Sequence, residues 1–347
     1  MHNDIAPSPA HGEGLRILIT GASGFIGSYI VEEALTRGFE VWAGVRSTSS
    51  RRYLSDPRIH FANLNLDDPR QLCEQLQSYG RFDYIVHAAG ATKCRCEDDF
   101  FRTNTRGTRH LIEALISTQL TPRRFIFISS LSIFGAVREE PYPYTPILDT
   151  DTPQPNTAYG RSKLEAERHL RTITAFPWVI LRPTGVYGPR ERDYFLMAQS
   201  IKQHVDFAVG YRPQDITFVY VQDVVQAVFL ALTAPDAAGK AFFLSDGQVY
   251  DSRRFSDLLQ QEMGTRCVLH IKAPLWFLRI ICAVAGRWGK LTGSMTALNP
   301  DKYHILAQRN WQCDIQPART TLGYTPQWPL ERGVAAAVQW YKQEGWL

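Results

Sequence analysis

Apolar residues fall into short runs separated by stretches of helical period. Residues 15–20 form an apolar strand that ends in a glycine-rich turn, and residues 25–37 carry a helical pattern stopped by Gly38. Glu40–Val45 reads as a second strand, and a third ends at Asn65-Leu66. The alternation continues with a helix near Pro69–Tyr79, a strand at Tyr84–His87, a helix over 104–118 and a strand over 124–129. A helix over about 158–172 and a strand over 178–182 follow. Strands that alternate with helices pair in parallel through right-handed crossovers, which predicts an α/β fold with a doubly wound parallel sheet. Such a sheet places ligands at the carboxyl ends of its strands.

After Gly188 the rhythm is lost. Residues 15–188 are therefore expected to form most of a nucleotide-binding domain, and 189–347 most of a smaller substrate lobe. A segment near 215–232 is expected to return to the first domain. Residues 136–156 carry five prolines and few apolar runs, the mark of a long loop, and long loops in compact domains are often functional. Residues 273–285 form the longest apolar stretch, interrupted by Arg279 and too short to span a bilayer. They are expected to form a helix whose apolar face turns to the substrate cleft or the core. Residues 1–14 are polar, lack an apolar signal core and read as a disordered lead-in.

A chain of 347 residues, 44% hydrophobic and 21% charged, can bury a core that needs no disulfide or metal. The cysteines at 73, 94, 96, 267, 282 and 313 include one Cys-x-Cys without a second pair, so no metal site is expected. They read as reduced thiols of a cytoplasmic protein. The net charge of +4 is spread along the chain without a dense basic tract, so nucleic acid is not an expected partner. The expected partner is a small-molecule substrate, with no integral membrane span, and a homodimer is left open.

The turn Thr20-Gly21-Ala22-Ser23-Gly24-Phe25-Ile26-Gly27 follows a strand and opens a helix. Glycines at 21, 24 and 27 suit a tight turn, close approach of backbone to a pyrophosphate and close helix–strand contact. The helix N-terminus then faces the phosphates with unpaired N–H groups. Gly21, Ser23, Gly24, Phe25, Ile26 and Gly27 are thus candidate cofactor contacts. A carboxylate at the end of the second strand would accept bonds from a ribose 2′-hydroxyl, whereas an arginine suits a 2′-phosphate. This chain has Gly44-Val45-Arg46-Ser47, so Arg46 selects NADP, with NAD as the alternative. Asn65 and Leu66 are placed near the adenine. Ala88, Ala89 and Gly90, after His87, are small enough to let the cofactor lie close.

Tyr159 and Lys163 stand four apart and share one face of a helix. A phenol near pKa 10 is a poor base at neutral pH, and an adjacent ammonium lowers its pKa. Ser130, at the end of the preceding strand, can hydrogen-bond a reacting oxygen. With these residues in place, the chain resembles the extended short-chain dehydrogenases/reductases, which include sugar-nucleotide epimerases, dihydroflavonol reductases and 3β-hydroxysteroid dehydrogenases. The matching segments run in the family's order over residues 15–232. They are residues 20–27, 87–90, Asn104 with Gly107-Thr108, 129–135, 159–163, 181–189 and 221–224. The resemblance implies a Rossmann-type domain with Ser130, Tyr159 and Lys163 as catalytic residues. It also implies cofactor contacts from Asn104, Tyr159, Lys163, Pro183, Thr184, Gly185 and Val186, with the segment 182–185 beside the nicotinamide.

Family members that eliminate water carry an Asp-Glu pair after the catalytic Ser/Thr, and some decarboxylases carry a Glu. Here Leu131-Ser132 follows Ser130, which disfavours both. The remaining expectation is an NADP-dependent oxidoreductase that interconverts a secondary alcohol and a ketone on a small hydrophobic, steroid-like or dihydroflavonol-like substrate. Two alternatives stay open: a nucleotide-sugar epimerase with tightly held NAD, in which Arg190 and Arg192 bind a pyrophosphate, and a non-catalytic dinucleotide sensor.

Overall fold

The computed structural model describes residues 12–292 and 300–347. The first half follows the order β1 (Arg16–Thr20), α1 (Phe25–Thr36), β2 (Glu40–Val45), β3 (His60–Asn63), α2 (Pro69–Tyr79), β4 (Tyr84–His87) and α3 (Glu97–Phe100). A π-helical turn, Phe101–Arg106, then leads into α4 (Gly107–Ser117) and β5 (Arg124–Ile128). Next come α5 (Ala158–Arg171), β6 (Trp178–Pro183), β7 (Gly185–Tyr187), α6 (Asp193–Lys202) and β8 (Val205–Val209). They are followed by β9 (Asp215–Ile216), β10 (Phe218–Tyr220), α7 (Val221–Thr233), β11 (Lys240–Leu244), β12 (Tyr250–Asp251) and α8 (Arg254–Met263). The chain closes with β13 (Leu269–Ala273), α9 (Leu275–Thr292), α10 (Pro300–Ala307), α11 (Gln316–Leu322) and α12 (Leu330–Gln343).

Seven parallel strands form a Rossmann-like sheet in the order β11-β6-β5-β4-β1-β2-β3. The order reverses between β1 and β4, which are paired from Ile17 with Tyr84 to Thr20 with His87. That reversal opens the ligand crevice at the carboxyl ends. The strands are buried on both sides and so read as continuous apolar runs. Ile17 and Ile19 point into the core shared with α1 and α7, while Leu18 points into the core shared with α2, α4 and α5. A third core forms around Tyr187, Phe218, Phe255 and Tyr341 in the second lobe.

Three expectations are amended. Residues 12–14 are not disordered: the Gly12 N–H donates to the Arg37 carbonyl at 2.9 Å and ties them to the end of α1. The rest of the lead-in lies outside the described residues. The helix expected from 104 begins earlier, as α3 and the π turn, because π geometry inserts an extra residue per turn that sequence periodicity does not display. The sheet also takes β11, which pairs with β6 from Lys240 with Val179 to Leu244 with Pro183. The proline-rich segment 136–156 is held to the C-terminal region by Asn310, whose amide donates to the carbonyls of Arg138 at 3.1 Å and Thr145 at 3.0 Å.

Candidate active site

The turn after β1 is a cradle shaped by missing side chains. Gly21 has φ +68°, and a Cβ there would stand 2.6 Å from the Ala89 nitrogen. A Cβ on Gly27 would lie 2.1 Å from the Gly21 carbonyl oxygen, so only glycine lets α1 start against the turn. Gly24 caps the helix without a side-chain bond, and the first turn of α1 carries no acidic group. Its N–H groups and positive dipole end stay available to an anion. A Cβ on Gly90 would come within 3.0 Å of Lys163 Nζ and 3.2 Å of Asn104 Oδ1. Gly90 thus adjoins the lysine in space, although they lie 73 residues apart (163 − 90).

A directed chain of hydrogen bonds locks the floor of this crevice. The Ala89 N–H donates to Thr20 Oγ1 at 3.3 Å, and Thr20 Oγ1 lies 2.7 Å from His87 Nδ1. His87 Nε2 lies 2.9 Å from Thr108 Oγ1, which donates to the Asn104 carbonyl at 2.6 Å. Because the Thr108 proton is engaged, Nε2 carries the imidazole hydrogen and Nδ1 accepts from Thr20. Burial pushes the His87 pKa down to about 3, so the ring is a neutral strut between β1, β4 and the π turn. Asn104 itself is buried. Its amide donates to the Ala91 carbonyl at 3.0 Å and to Ser162 Oγ at 2.9 Å, and its Oδ1 accepts the Ala91 N–H at 2.7 Å. These bonds join the loop after β4 to α5.

Ser130 ends β5 and caps the short 3₁₀ turn Leu131–Ile133, accepting the Ser132 N–H at 3.2 Å and donating to Ser132 Oγ at 3.1 Å. Thr157 caps α5 by accepting the Gly160 N–H at 3.0 Å, which sets Tyr159 in the first turn. Tyr159 is half-buried, with its ring edge-on to Phe100 at 6.3 Å between centroids. Burial pushes its phenol up to about 12, and a hydrogen bond to Ser130 pulls the other way. Lys163, one turn on, is 4% exposed and donates to the Ile128 carbonyl at 2.9 Å. Burial lowers its pKa to about 8, with Glu167 acting in the opposite direction. Burial is the largest influence on the Tyr159 phenol, and the group that pulls its pKa down is Ser130 rather than the expected Lys163.

The structure therefore brings Ser130, Tyr159, Lys163, Asn104 and the 88–90 segment to one crevice beside the glycine turn. Thr184, just past β6, has a buried hydroxyl without a hydrogen-bond partner among the described residues. The glycine cradle, the bare helix N-terminus and this unpaired hydroxyl fit a dinucleotide.

Other readings move. Asn65 spends its amide locally, donating to Gln71 Oε1 at 2.6 Å and accepting the Asp67 N–H at 3.2 Å. The Leu66 carbonyl lies 2.7 Å from His110 Nδ1. Arg46 follows β2 and is exposed, its backbone N–H donating to Ser49 Oγ at 3.1 Å. Arg182 turns away from the crevice, onto Glu167 at 2.6 Å and onto Asp149. Arg190 donates to Ser28 Oγ at 3.0 Å and to Glu32 at 2.6 Å and stacks on Tyr29 and Tyr53, so it faces α1. The stretch 273–285 is largely helical as expected, but its apolar side chains Trp276, Phe277, Ile280 and Val284 face outward.

Sequence reasoning missed the buried group formed by Ser129, Glu167 and Arg182. Ser129 Oγ donates to Glu167 Oε1 at 2.5 Å, and Arg182 Nε donates to the same carboxylate at 3.0 Å. Two signals were present: Glu167 lies four residues after Lys163 on α5, and Arg182 interrupts the apolar strand Trp178–Pro183. An arginine in a fully buried strand requires a buried anion.

Residues 17–245 match the NAD dependent epimerase/dehydratase family, and the chain belongs to it. It is 25% identical to the UDP-glucose 4-epimerase of Vibrio cholerae, over 94% of this chain and 95% of that protein. It is 24% identical to the sterol-4-alpha-carboxylate 3-dehydrogenase (decarboxylating) of Dictyostelium discoideum, over 92% and 98%. Its fold is similar to that of the UDP-glucose 4-epimerase of Thermotoga maritima with UDP-glucose, at a TM-score of 0.75 and 23% identity, over 95% of this chain and 99% of that one. The protein is thus an extended short-chain dehydrogenase/reductase, an NAD(P)-dependent enzyme acting on CH–OH groups.

Proposed function

We propose that this enzyme is an NADP-dependent oxidoreductase that interconverts a secondary alcohol and a ketone on a small hydrophobic substrate. The observation that carries the reading is the convergence of the Tyr159 phenol, the Ser130 hydroxyl and the Lys163 ammonium beside the glycine cradle. The cradle of Gly21, Ser23, Gly24, Phe25, Ile26 and Gly27, with Ala88, Ala89 and Gly90 opposite and Pro183, Thr184, Gly185 and Val186 at the end of β6, would hold the dinucleotide. Leu66 would lie near its adenine, and Arg46 would take the 2′-phosphate. When bound, the nicotinamide exchanges a hydride with the substrate carbon.

The chain's own residues manage the oxygen. A phenol held at about 12 is protonated at neutral pH, the state needed to give a proton to the oxygen of a ketone under reduction. Ser130 donates a second hydrogen bond to that oxygen. Lys163 lies one helical turn on from Tyr159 and would bond the nicotinamide ribose. Asn104 and His87 position this group without touching substrate.

A hydrophobic substrate is favoured over a nucleotide sugar because Arg190, one of two arginines available for a pyrophosphate, is committed to Ser28 and Glu32. The epimerase reading is supported by the full-length similarity to the Vibrio cholerae enzyme. Following NADPH absorbance with a panel of steroid and flavonoid ketones separates the two. Ketone-dependent oxidation of NADPH is expected. Conversion of UDP-glucose to UDP-galactose without net oxidation would replace the proposal with the epimerase.

A further inference from the structure

Helix α9 turns a row of large apolar side chains to solvent. Trp276, Ile280 and Val284 recur every four residues and are 65%, 54% and 60% exposed, with Phe277 alongside at 45%. Leu278 and Cys282, on the opposite side, are buried. The helix is thus attached by one face and bare on the other, the reverse of a helix whose apolar stripe faces the core.

The element that leads into α9 has the same character. In β13, Leu269 and Ile271 are 62% and 37% exposed. Ile271 pairs with Phe207 of β8, itself 62% exposed. Apolar surface concentrated in this way marks a contact site rather than ordinary surface scatter.

Charge decides what the surface contacts. Residues 263–300 contain Arg266, Lys272, Arg279, Arg287 and Lys290 and no aspartate or glutamate. Lys272 and Arg279 are exposed beside the apolar side chains. A second copy of the chain meeting this face across a twofold axis would set cation against cation. Trp and aliphatic side chains in a stretch whose charged residues are all basic suit the boundary between acyl chains and anionic headgroups. No described helix is long and apolar enough to cross a membrane, so the geometry is that of a helix lying on the interface.

We infer that α9, with the adjoining β8–β13 pair, docks the enzyme on an anionic lipid surface. The surface lies one helix from the candidate site: α10 packs against α9, and Asp301 in α10 accepts the Ala158 N–H at 2.9 Å, next to Tyr159. Docking is independent of the chemistry proposed above, and its test uses no substrate.

The full chain is sedimented with sucrose-loaded vesicles of phosphatidylcholine, alone or with about one third phosphatidylglycerol. Binding is expected only with the anionic vesicles and is expected to weaken as salt rises to about 0.5 M. Replacing Ile280 and Val284 with serine removes two inserted side chains and should lower the partition coefficient at least about tenfold. Lys272→Gln with Arg279→Gln should lower it roughly fivefold per charge removed. Unchanged melting temperature and unchanged quenching of intrinsic fluorescence by NADPH show that the variants are folded. Absence of binding, or equal binding to neutral vesicles, would overturn the inference. So would a dimer in light scattering that the serine substitutions convert to monomer, since a second copy would then cover the face.

Discussion

The crevice around Tyr159 and the outer face of α9 break the rule of apolar inside and polar outside in opposite directions. In and behind the crevice, His87, Asn104, Lys163, Glu167 and Arg182 are all buried, and each is satisfied: His87 by two threonines, Asn104 by Ala91 and Ser162, Lys163 by the Ile128 carbonyl, Glu167 and Arg182, on the side away from the crevice, by each other. On α9, four large apolar side chains face outward and are 45–65% exposed. A buried polar group costs free energy unless it is paired, so a paired set fixes one geometry, as a reaction requires. An exposed apolar group costs free energy until something covers it, so it fits a partner that binds and leaves. The buried polar groups named in the first region are paired within the chain; the second is the face inferred above to meet lipid.

The largest effect expected from breaking this contrast lies at the phenol. Tyr159→Phe keeps the ring and removes the proton donor, and turnover should fall by about 10² to 10⁴ with cofactor affinity nearly unchanged. A fully active variant in steady-state assays with the identified substrate would rule out the proposed mechanism. Next comes the buried ion pair. Arg182→Met leaves the buried Glu167 without its cation and with only the Ser129 hydroxyl donating to it, at a cost of about 3–5 kcal/mol in urea unfolding. Adding Glu167→Leu should recover most of that loss, whereas the same two changes on an exposed pair would barely register.

Smaller effects sharpen the picture. Arg46→Ala should weaken NADPH binding about ten- to a hundredfold while sparing NADH, since a charge-assisted bond to the 2′-phosphate contributes about 1.5–3 kcal/mol. Fluorescence titration with both cofactors checks this, and equal losses would remove Arg46 from the site. The Lys163 pKa lies near 8, lowered by burial, so the ammonium is charged below that pH and neutral above it. The reductive kcat/KM should therefore be flat below about pH 8 and fall about tenfold per unit above it. A limb displaced to pH 10 would show that burial does not govern this lysine. The smallest effect is expected on the bare face, where Ile280→Ser should change unfolding free energy by no more than about 0.5 kcal/mol. A loss of several kcal/mol would mean that the side chain is buried in solution.

The parallel sheet, the glycine turn and the placing of Tyr159 and Lys163 on one helix were legible in the sequence, because each depends on local spacing; Ser130 was singled out by its place after a strand and by the family resemblance. Strands have apolar runs, helices have stop signals, the turn has glycines three apart, and Tyr159 and Lys163 are one helical turn apart. Partners set by long-range packing were not legible. That His87 is a neutral strut between Thr20 and Thr108, and that Asn104 ties Ala91 to Ser162, follows from a strand order that places those residues side by side. The sequence suggested that Lys163 lowers the phenol's pKa, and it offered Arg190 and Arg192 as pyrophosphate ligands under the epimerase alternative. In the folded chain the Lys163 ammonium donates to the Ile128 carbonyl and the Arg190 guanidinium to Ser28 and Glu32, contacts that local spacing does not show. For residues 273–285, composition determined a helix and its apolar character. Which way that face points was decided only by the elements packed on its other side, since a helical pattern fixes the angle between side chains and not the direction of the core.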